Sequence, residues 1–523
     1  LFESFKALGV TAKKLGEAFA PNWHFLVNIE LLGGYRVESA NPEDLMEDAK
    51  SWLGSEIVHD WRGQWPELIR QGCDDFFNCV PLSQAKPRLL SFDEWLSDPA
   101  MFCGQGSSSG FKGKVKYEAF VMRDGEEKEK EVWPSNTKWS STLGNTTEGL
   151  RQYAYSLERP KLTVFPKAEA GKIRGVVNAE FKTYLRMKYV YDAIEPHLKH
   201  HPAATLLFTS FEKLDMIKIF QASFERQQVQ SPLDQDKFDH NQAFSEIEIA
   251  LSSMSKWAKN FVIHSDVIGM IEQIKEDIRE SVVSVKFADG VRSFNYRNGI
   301  ASGWYMTALL DVLLNYATAF GVNKIKTDLG FAPYIKGYYL GDDTTLFEQN
   351  FASAVATILL YGMIGYAVNI AKSFISLTRT EFLRVVYTKN RELAYPARAL
   401  LSVYWRKPWS AESALESDKF LTLLTSWQKF FSRTKSQVGF KYFLQDVRGG
   451  LKSYKLSDKD LFALVFSDVG SGGYSFGSDF WKGDIAERVE TYKTRDRLTL
   501  KRQTKVPRVQ ITEVPGLDHV QLP

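Results

Sequence analysis

The sequence predicts an α+β chain built from more than one unit, and three observations carry that expectation. Two β-prone runs, Tyr338-Tyr339-Leu340 and Thr344-Thr345-Leu346-Phe347, flank Gly341-Asp342-Asp343 and read as a hairpin with two carboxylates at its tip. Amphipathic helical patterns stand on its N-terminal side, at residues 215–228 and 268–283. Beyond residue 395 the pattern becomes mainly helical. At 523 residues the chain exceeds a typical domain, and length alone allows about three. A hydrophobic content of 44% is enough for large buried cores.

Taken in order, residues 43–52 have a helical pattern. Residues 104–110, followed by Lys112, Lys114 and Lys116, form a Gly/Ser loop. Its backbone N–H groups suit a phosphate, but no strand-then-helix context supports a dinucleotide fingerprint, and a plain connection is the simpler reading. Residues 125–131 read as a solvated turn. Residues 165–177 form a basic, strand-like segment carrying Lys167, Lys172 and Arg174. His197, His200 and His201 have metal-like spacings on a helical pattern, yet no matching ligands stand out, so they read as surface residues.

In the segment 231–240, Pro232 punctuates a strand start, Asp234 ends the strand, and Asp239 lies five residues on, near a helix start. Residue types leave two readings open. One carboxylate points at a metal and the other at a sugar, or an acidic loop caps a helix at Asp239 or Asn241. At 299–315 a Gly/Ser turn runs into an apolar helix on which Thr307, Asp311 and Asn315 recur every four residues and line one face. Such a stripe fronts a wet cavity or is an ordinary solvent side. Asp342 and Asp343 repel each other unless a cation sits on them, an arrangement that two-metal phosphoryl chemistry requires. Alone, the tripeptide also fits a surface turn.

Residues 350–371 carry no charge and are long enough to cross a bilayer. Gly362, Gly365, Tyr366 and Asn369 interrupt them, and the segment reads as a buried helix plus a following strand. Residues 380–387 alternate partly, as an amphipathic hairpin does. Residues 417–431 and 458–465 are helical, and 470–478 a flexible loop. Residues 493–508 hold seven basic side chains against one acid, a pattern suited to RNA phosphates or to a frayed basic tail.

A net charge of +3 excludes a uniformly basic nucleic-acid coat, so any RNA channel must come from local patches. Aromatics, at 14%, suit base stacking and, more simply, core packing. Cys73, Cys79 and Cys103 fit no common zinc spacing and, being odd in number, no disulfide framework, which makes a reducing intracellular setting the default. The chain opens on Leu1-Phe2 with no secretory signal, and reads as a segment of a longer or processed product.

Asp-x4-Asp at Asp234 and Asp239, Ser-Gly-x3-Thr from Ser302 to Thr307, and Gly-Asp-Asp at 341–343 occur in one order. As a set they resemble the palm of viral RNA-dependent RNA polymerases, over roughly residues 160 to 395. The helix residues 304–315 look most like polymerases of double-stranded RNA viruses, the totivirus-like group in particular. The resemblance implies a right-hand polymerase fold. Its expected parts are an N-terminal extension and fingers at 1–230, a palm at 231–395 with a finger insertion near 245–298, and a mainly helical thumb with a basic tail at 396–523.

The implied activity is template-directed RNA synthesis for viral genome replication and transcription. In it, Asp234 and Asp342, assisted by Asp343, hold Mg²⁺ or Mn²⁺ ions. Lys167, Lys172 and Arg174 meet the triphosphate. Lys372, in a segment at 365–373 similar to the family's, serves pyrophosphate as a general acid. Asp239 reads the sugar with Ser302, Gly303 and Thr307. Many family members carry asparagine where this helix has Asp311, and an ionised aspartate donates no hydrogen bond. Either Asp311 meets a donor such as a ribose hydroxyl, or Asn315 one turn later takes over part of the role. The implied partners are RNA template and product, ribonucleoside triphosphates and viral capsid protein, with no membrane. The implied place is the host cytoplasm, within the viral particle. A reverse transcriptase usually places a bulky aromatic at the Asp239 position, which argues against that alternative. The presence of every expected carboxylate argues against a non-catalytic RNA-binding, capsid-associated protein.

Overall fold

The structure is a computed structural model describing residues 2–35, 40–80, 90–113, 117–123, 126–132, 136–169, 172–199, 201–260, 264–405, 416–434, 439–450, 456–467 and 473–476, the side chains of 117–123, 126–132, 172 and 416–418 excepted. At its centre runs the helix Thr307–Asp328, buried on nearly every side. Its run Leu309, Leu310, Val312, Leu313, Leu314 covers all faces, as expected of a helix inside a core rather than on it. Trp65–Asn78 packs closely on it because position 72 is glycine: a Cβ there would lie 2.7 Å from Ala317 Cα.

Beside this helix lies a three-stranded antiparallel sheet in the order Val229–Asp234, Asp343–Glu348, Lys336–Leu340. Its strands are buried on both faces and show no alternation of burial, and the polar Gln230, Ser231, Thr344, Thr345 and Glu348 are buried among their apolar neighbours. Helix Ser210–Glu225 covers one face through Phe220, whose ring lies 5.4 Å from Tyr338 and 5.5 Å from Phe347. A second sheet orders Lys172–Ala179, Lys161–Glu169, Val282–Phe287, Gly290–Asn295, the middle pair being parallel. A third, small antiparallel sheet is formed by Arg379–Phe382, Val385–Thr388 and Glu392–Ala394. The C-terminal helices Glu416–Thr434, Phe440–Gly450 and Asp458–Phe466 close on a separate aromatic core of Trp427, Phe431, Phe443 and Phe476.

Several expectations need correction. The helix placed at 268–283 ends at Arg279, and Val282 already opens a strand. Glu126–Val132 is a strand paired with Tyr117–Arg123, not a turn. His197 and His201 are buried, not superficial: His201 stacks on Phe76 at 4.1 Å, its ring nitrogens taken up by backbone groups. His200 lies outside the described residues, as do Lys114, Lys116, most of 470–478 and the tail at 493–508. The uncharged stretch forms helix Phe351–Ile364, but no strand follows it; Val368 makes a single bridge to Gln235. That helix is only half buried, with Phe351, Val355, Leu359 and Met363 on an exposed face. Among the described residues no helix is long and apolar enough to cross a membrane.

Candidate active site

The Gly341-Asp342-Asp343 hairpin forms as its residue types dictate. Aromatic and β-branched residues pair across it, with Leu340 opposite Asp343, and Gly341 closes the two-residue turn at φ 58°, a conformation costly for any residue with a Cβ. The neighbouring strand runs antiparallel and sets Asp234 opposite Asp343. Strand register alone therefore brings together two acids more than a hundred residues apart.

The segment 366–373 closes the same end of the sheet. Asp236 N–H donates to Ala367 O, Asn369 N–H to Asp234 O (both 2.7 Å), and Asp234 N–H to Ser373 Oγ at 3.0 Å. This path delivers Lys372, whose Nζ lies 2.8 and 3.2 Å from the two carboxylate oxygens of Asp234.

The Ser302-Gly303 turn is seated on the strand Lys172–Ala179. Ser302 Oγ accepts from Val177 N–H at 3.0 Å. Gly303 touches that strand so closely that a Cβ would lie 2.3 Å from Val177 O. Thr307 Oγ1 donates within the turn, to Ala301 O and Trp304 O, each at 2.8 Å. Asp239 sits in the single 3-10 turn Phe238–Asn241, its carbonyl held by Ile300 N–H and by Trp52 Nε1. Lys167 and Arg174 are paired directly across their hairpin, and both lie beside Glu169, at 3.9 and 3.1 Å. The Lys172 side chain lies outside the described residues.

Asn315 is engaged by protein groups. It is fully buried, and its Oδ1 accepts from Thr344 Oγ1 and Gln235 Nε2 while Nδ2 donates to Gly341 O. Both acceptor sites of its Oδ1 are thereby taken by protein groups. Asp311, one turn earlier, is different: its Oδ1 is buried with no hydrogen-bond partner.

The acids feel one another. Burial, then repulsion from Asp342, lifts Asp239 to about 6. Burial followed by Asp342 lifts Asp343 to about 6. Burial followed by Asp239 and Asp342 pushes Asp311 well above the usual carboxylate range. Asp342 is raised by burial and by Asp234. Arg174 opposes the shift at Asp239, and Arg384 at both Asp342 and Asp343. Arg384 escaped the sequence reading. Its only signal is a cation in the turn of the hairpin at 380–387, a turn in which Leu383 and Arg384 both take positive φ, 54° and 61°.

These side chains suit a hard divalent cation. Five carboxylates on four elements repel one another, one oxygen is orphaned in a dry setting, and all donors are oxygen. They do not yet converge. Among the described residues no three His, Cys, Asp or Glu side chains are gathered tightly enough to hold an ion as they stand, and Asp234 is turned to the Lys372 ammonium.

Residues 151–404 match the model of the family described as viral RNA-directed RNA-polymerase. The probable RNA-directed RNA polymerase of Giardia lamblia virus (isolate Wang) is 25% identical over 396 residues, 73% of this chain and 19% of that protein. The chain thus spans about a fifth of the length of this curated relative. Among solved structures, the RNA-dependent RNA polymerase of a human picobirnavirus is similar with TM-score 0.53 and 14% identity, covering 86% of this chain and 79% of that one. Its insertion-loop deletion mutant gives TM-score 0.54 at 13% identity, over 86% and 83%. The BmCPV polymerase at its elongation state gives TM-score 0.51 at 11% identity, over 75% and 34%. The chain has the right-hand polymerase fold of these structures, and its 151–404 segment is similar to the viral RNA-directed RNA-polymerase family.

Proposed function

We propose that the chain copies an RNA template into RNA from ribonucleoside triphosphates, as the polymerase unit of a double-stranded RNA virus. The observation that carries this reading is the strand register that sets Asp234 opposite Asp343, with Asp342 in the adjoining turn. Asp234 and Asp342, assisted by Asp343, would hold divalent ions, Mg²⁺ or Mn²⁺. Bound there, these would activate the primer 3′-hydroxyl and stabilise the leaving pyrophosphate.

The chain's own residues do the rest. Lys167 and Arg174, now beside Glu169, exchange that carboxylate for triphosphate oxygens, which the Arg174 fork can grip in bidentate fashion. Lys172, on the same hairpin, joins them. Lys372 leaves Asp234 once a cation occupies that carboxylate, and can then give its Nζ proton to pyrophosphate. Asp239 accepts from the ribose 2′-hydroxyl, with the orphaned oxygen of Asp311 on the same side. Ser302, Gly303 and Thr307 shape the sugar pocket by fixing the turn that borders it. We assign residues 1–230 to the N-terminal extension and fingers, 231–395 to the palm with a finger insertion near 245–298, and 396–523 to the thumb and tail. RNA template and product are the partners. A capsid protein within a particle in the host cytoplasm fits the same reading.

The test is incorporation of labelled ribonucleotides on an RNA template with Mg²⁺. Asp342→Ala abolishes incorporation and leaves template binding near wild type. Equal activity in the two proteins would remove the proposed centre. Deoxynucleotides used as readily as ribonucleotides would move the assignment to reverse transcription.

A further inference from the structure

One side chain touches the sequence neighbours of all three metal-binding candidates. Asn315 Nδ2 donates to Gly341 O at 2.9 Å, and its Oδ1 accepts from Thr344 Oγ1 at 2.8 Å and Gln235 Nε2 at 3.2 Å. Gly341 precedes Asp342, Thr344 follows Asp343, and Gln235 follows Asp234. We propose that Asn315 is a positioning residue for the carboxylate cluster, fixing the backbone of the three aspartates against one another. The proposal rests on the polymerase reading above.

The chemistry of the site demands such a tie. Neighbouring carboxylates push apart, and here they sit on a two-residue turn and a strand end, the parts of a sheet with fewest ladder bonds. Asn315 stands on the most deeply buried helix of the fold, so what it grips is referred to a rigid body. Asn315 and Thr344 are 0% and 2% exposed, and hydrogen bonds in so dry a place are costly to leave unmade. A carboxamide offers a donor and an acceptor on one short planar end whatever the pH. Aspartate would set an oxygen against the Gly341 carbonyl, and an aliphatic side chain would leave Gly341, Thr344 and Gln235 each short of a partner. With Oδ1 accepting twice, Asn315 retains no free acceptor for a ribose.

Two variants test this, Asn315→Ala and the milder Thr344→Val, which leaves Gln235 on the amide. Wild-type incorporation in the same assay tests the polymerase reading separately. Mn²⁺ binding to the RNA-free protein, followed by electron paramagnetic resonance, needs no activity at all. For Asn315→Ala the expected result is a kcat lower by about 100-fold and Mn²⁺ binding weaker by about tenfold. KM for nucleotide and RNA binding stay near wild type, and Thr344→Val shifts both quantities in the same direction by less. Wild-type kcat and Mn²⁺ affinity in a folded Asn315→Ala overturn the proposal. If that variant does not fold, wild-type values in Thr344→Val do so. Altered ribose-to-deoxyribose discrimination with unchanged Mn²⁺ affinity would make Asn315 a sugar reader instead.

Discussion

His201 illustrates how burial sets the behaviour of single residues. Its Nδ1 accepts from the N–H groups of Ala203 and Ala204, so the proton lies on Nε2, which donates to Phe76 O at 3.0 Å. A second proton would face two donors in a dry pocket, and burial accordingly lowers its pKa from 6.5 to about 4. Between those two values the unfolded chain binds the proton and the folded chain does not. Stability therefore falls as pH drops through that window, by on the order of 3 kcal/mol from this one group. Urea unfolding across pH 4 to 6.5 reads the effect directly. His201→Gln has a lower plateau, because the backbone contacts change, but a pH slope smaller by up to one proton. An unchanged slope would mean that His201 is protonated in the native state. The metal-like spacing of these histidines was visible in the sequence; their depth was not, because depth comes from the packing of Phe76 and Tyr316, far along the chain.

At the scale of elements, legibility followed locality. The Gly341 turn and the helix after Thr307 are written in short-range chemistry, a glycine where φ is positive and an apolar run; Pro232, expected at a strand start, instead stands inside the strand Val229–Asp234, whose beginning at Val229 is set by its pairing with Glu348. What the sequence hid are relations between elements. Thr307, Asp311 and Asn315 do share a helix face, but only the position of the hairpin decides that Asn315 meets backbone while Asp311 is left unpaired. Arg384 was hidden for the same reason, being an ordinary turn cation until the turn is set beside Asp342 and Asp343. The two site glycines separate local from relational demands. Gly341 has open space around its Cβ position and needs only its left-handed backbone, so Gly341→Ala should cost about 1 kcal/mol. Gly303 has no such φ but meets the backbone of Val177, Asn178 and Ala179, which cannot step aside. Gly303→Ala should cost about 1–3 kcal/mol and displace the Ser302 turn, lowering incorporation more than Gly341→Ala does. Thermal unfolding and the incorporation assay on both variants check the order, and the reverse order would mean that the strand yields more easily than the turn.

At the scale of the molecule, the N-terminal segment acts as a strap over the small sheet beside the active site. Lys13 Nζ reaches Glu381 at 2.7 Å, an ion pair only 13% exposed on each side. Arg379 donates to the carbonyls of Lys13 and Lys14 and lies over the Trp23 ring. Trp23 also packs on Tyr395, and Trp405 Nε1 donates to Leu32 O. The sheet so held ends in Leu383 and Arg384, two side-chain-bearing residues in left-handed conformation, each costing about 1–2 kcal/mol. Such a turn persists only where its surroundings over-determine it. Trp23→Ala removes the largest buried ring of the strap, a loss of about 3–5 kcal/mol if it were felt globally. Because Trp23 shares its core with Val386 and Tyr395, whereas Leu162, Val164 and Val177 belong to the main core, its effect should instead be local. Hydrogen exchange should speed up at 379–395 and stay unchanged at 161–179, and incorporation should fall as Arg384 loses its fixed place beside the aspartates. Unchanged exchange at 379–395 would assign the strain to the other face of the sheet, where Phe220 packs on Tyr387 at 4.8 Å and would be holding the turn alone.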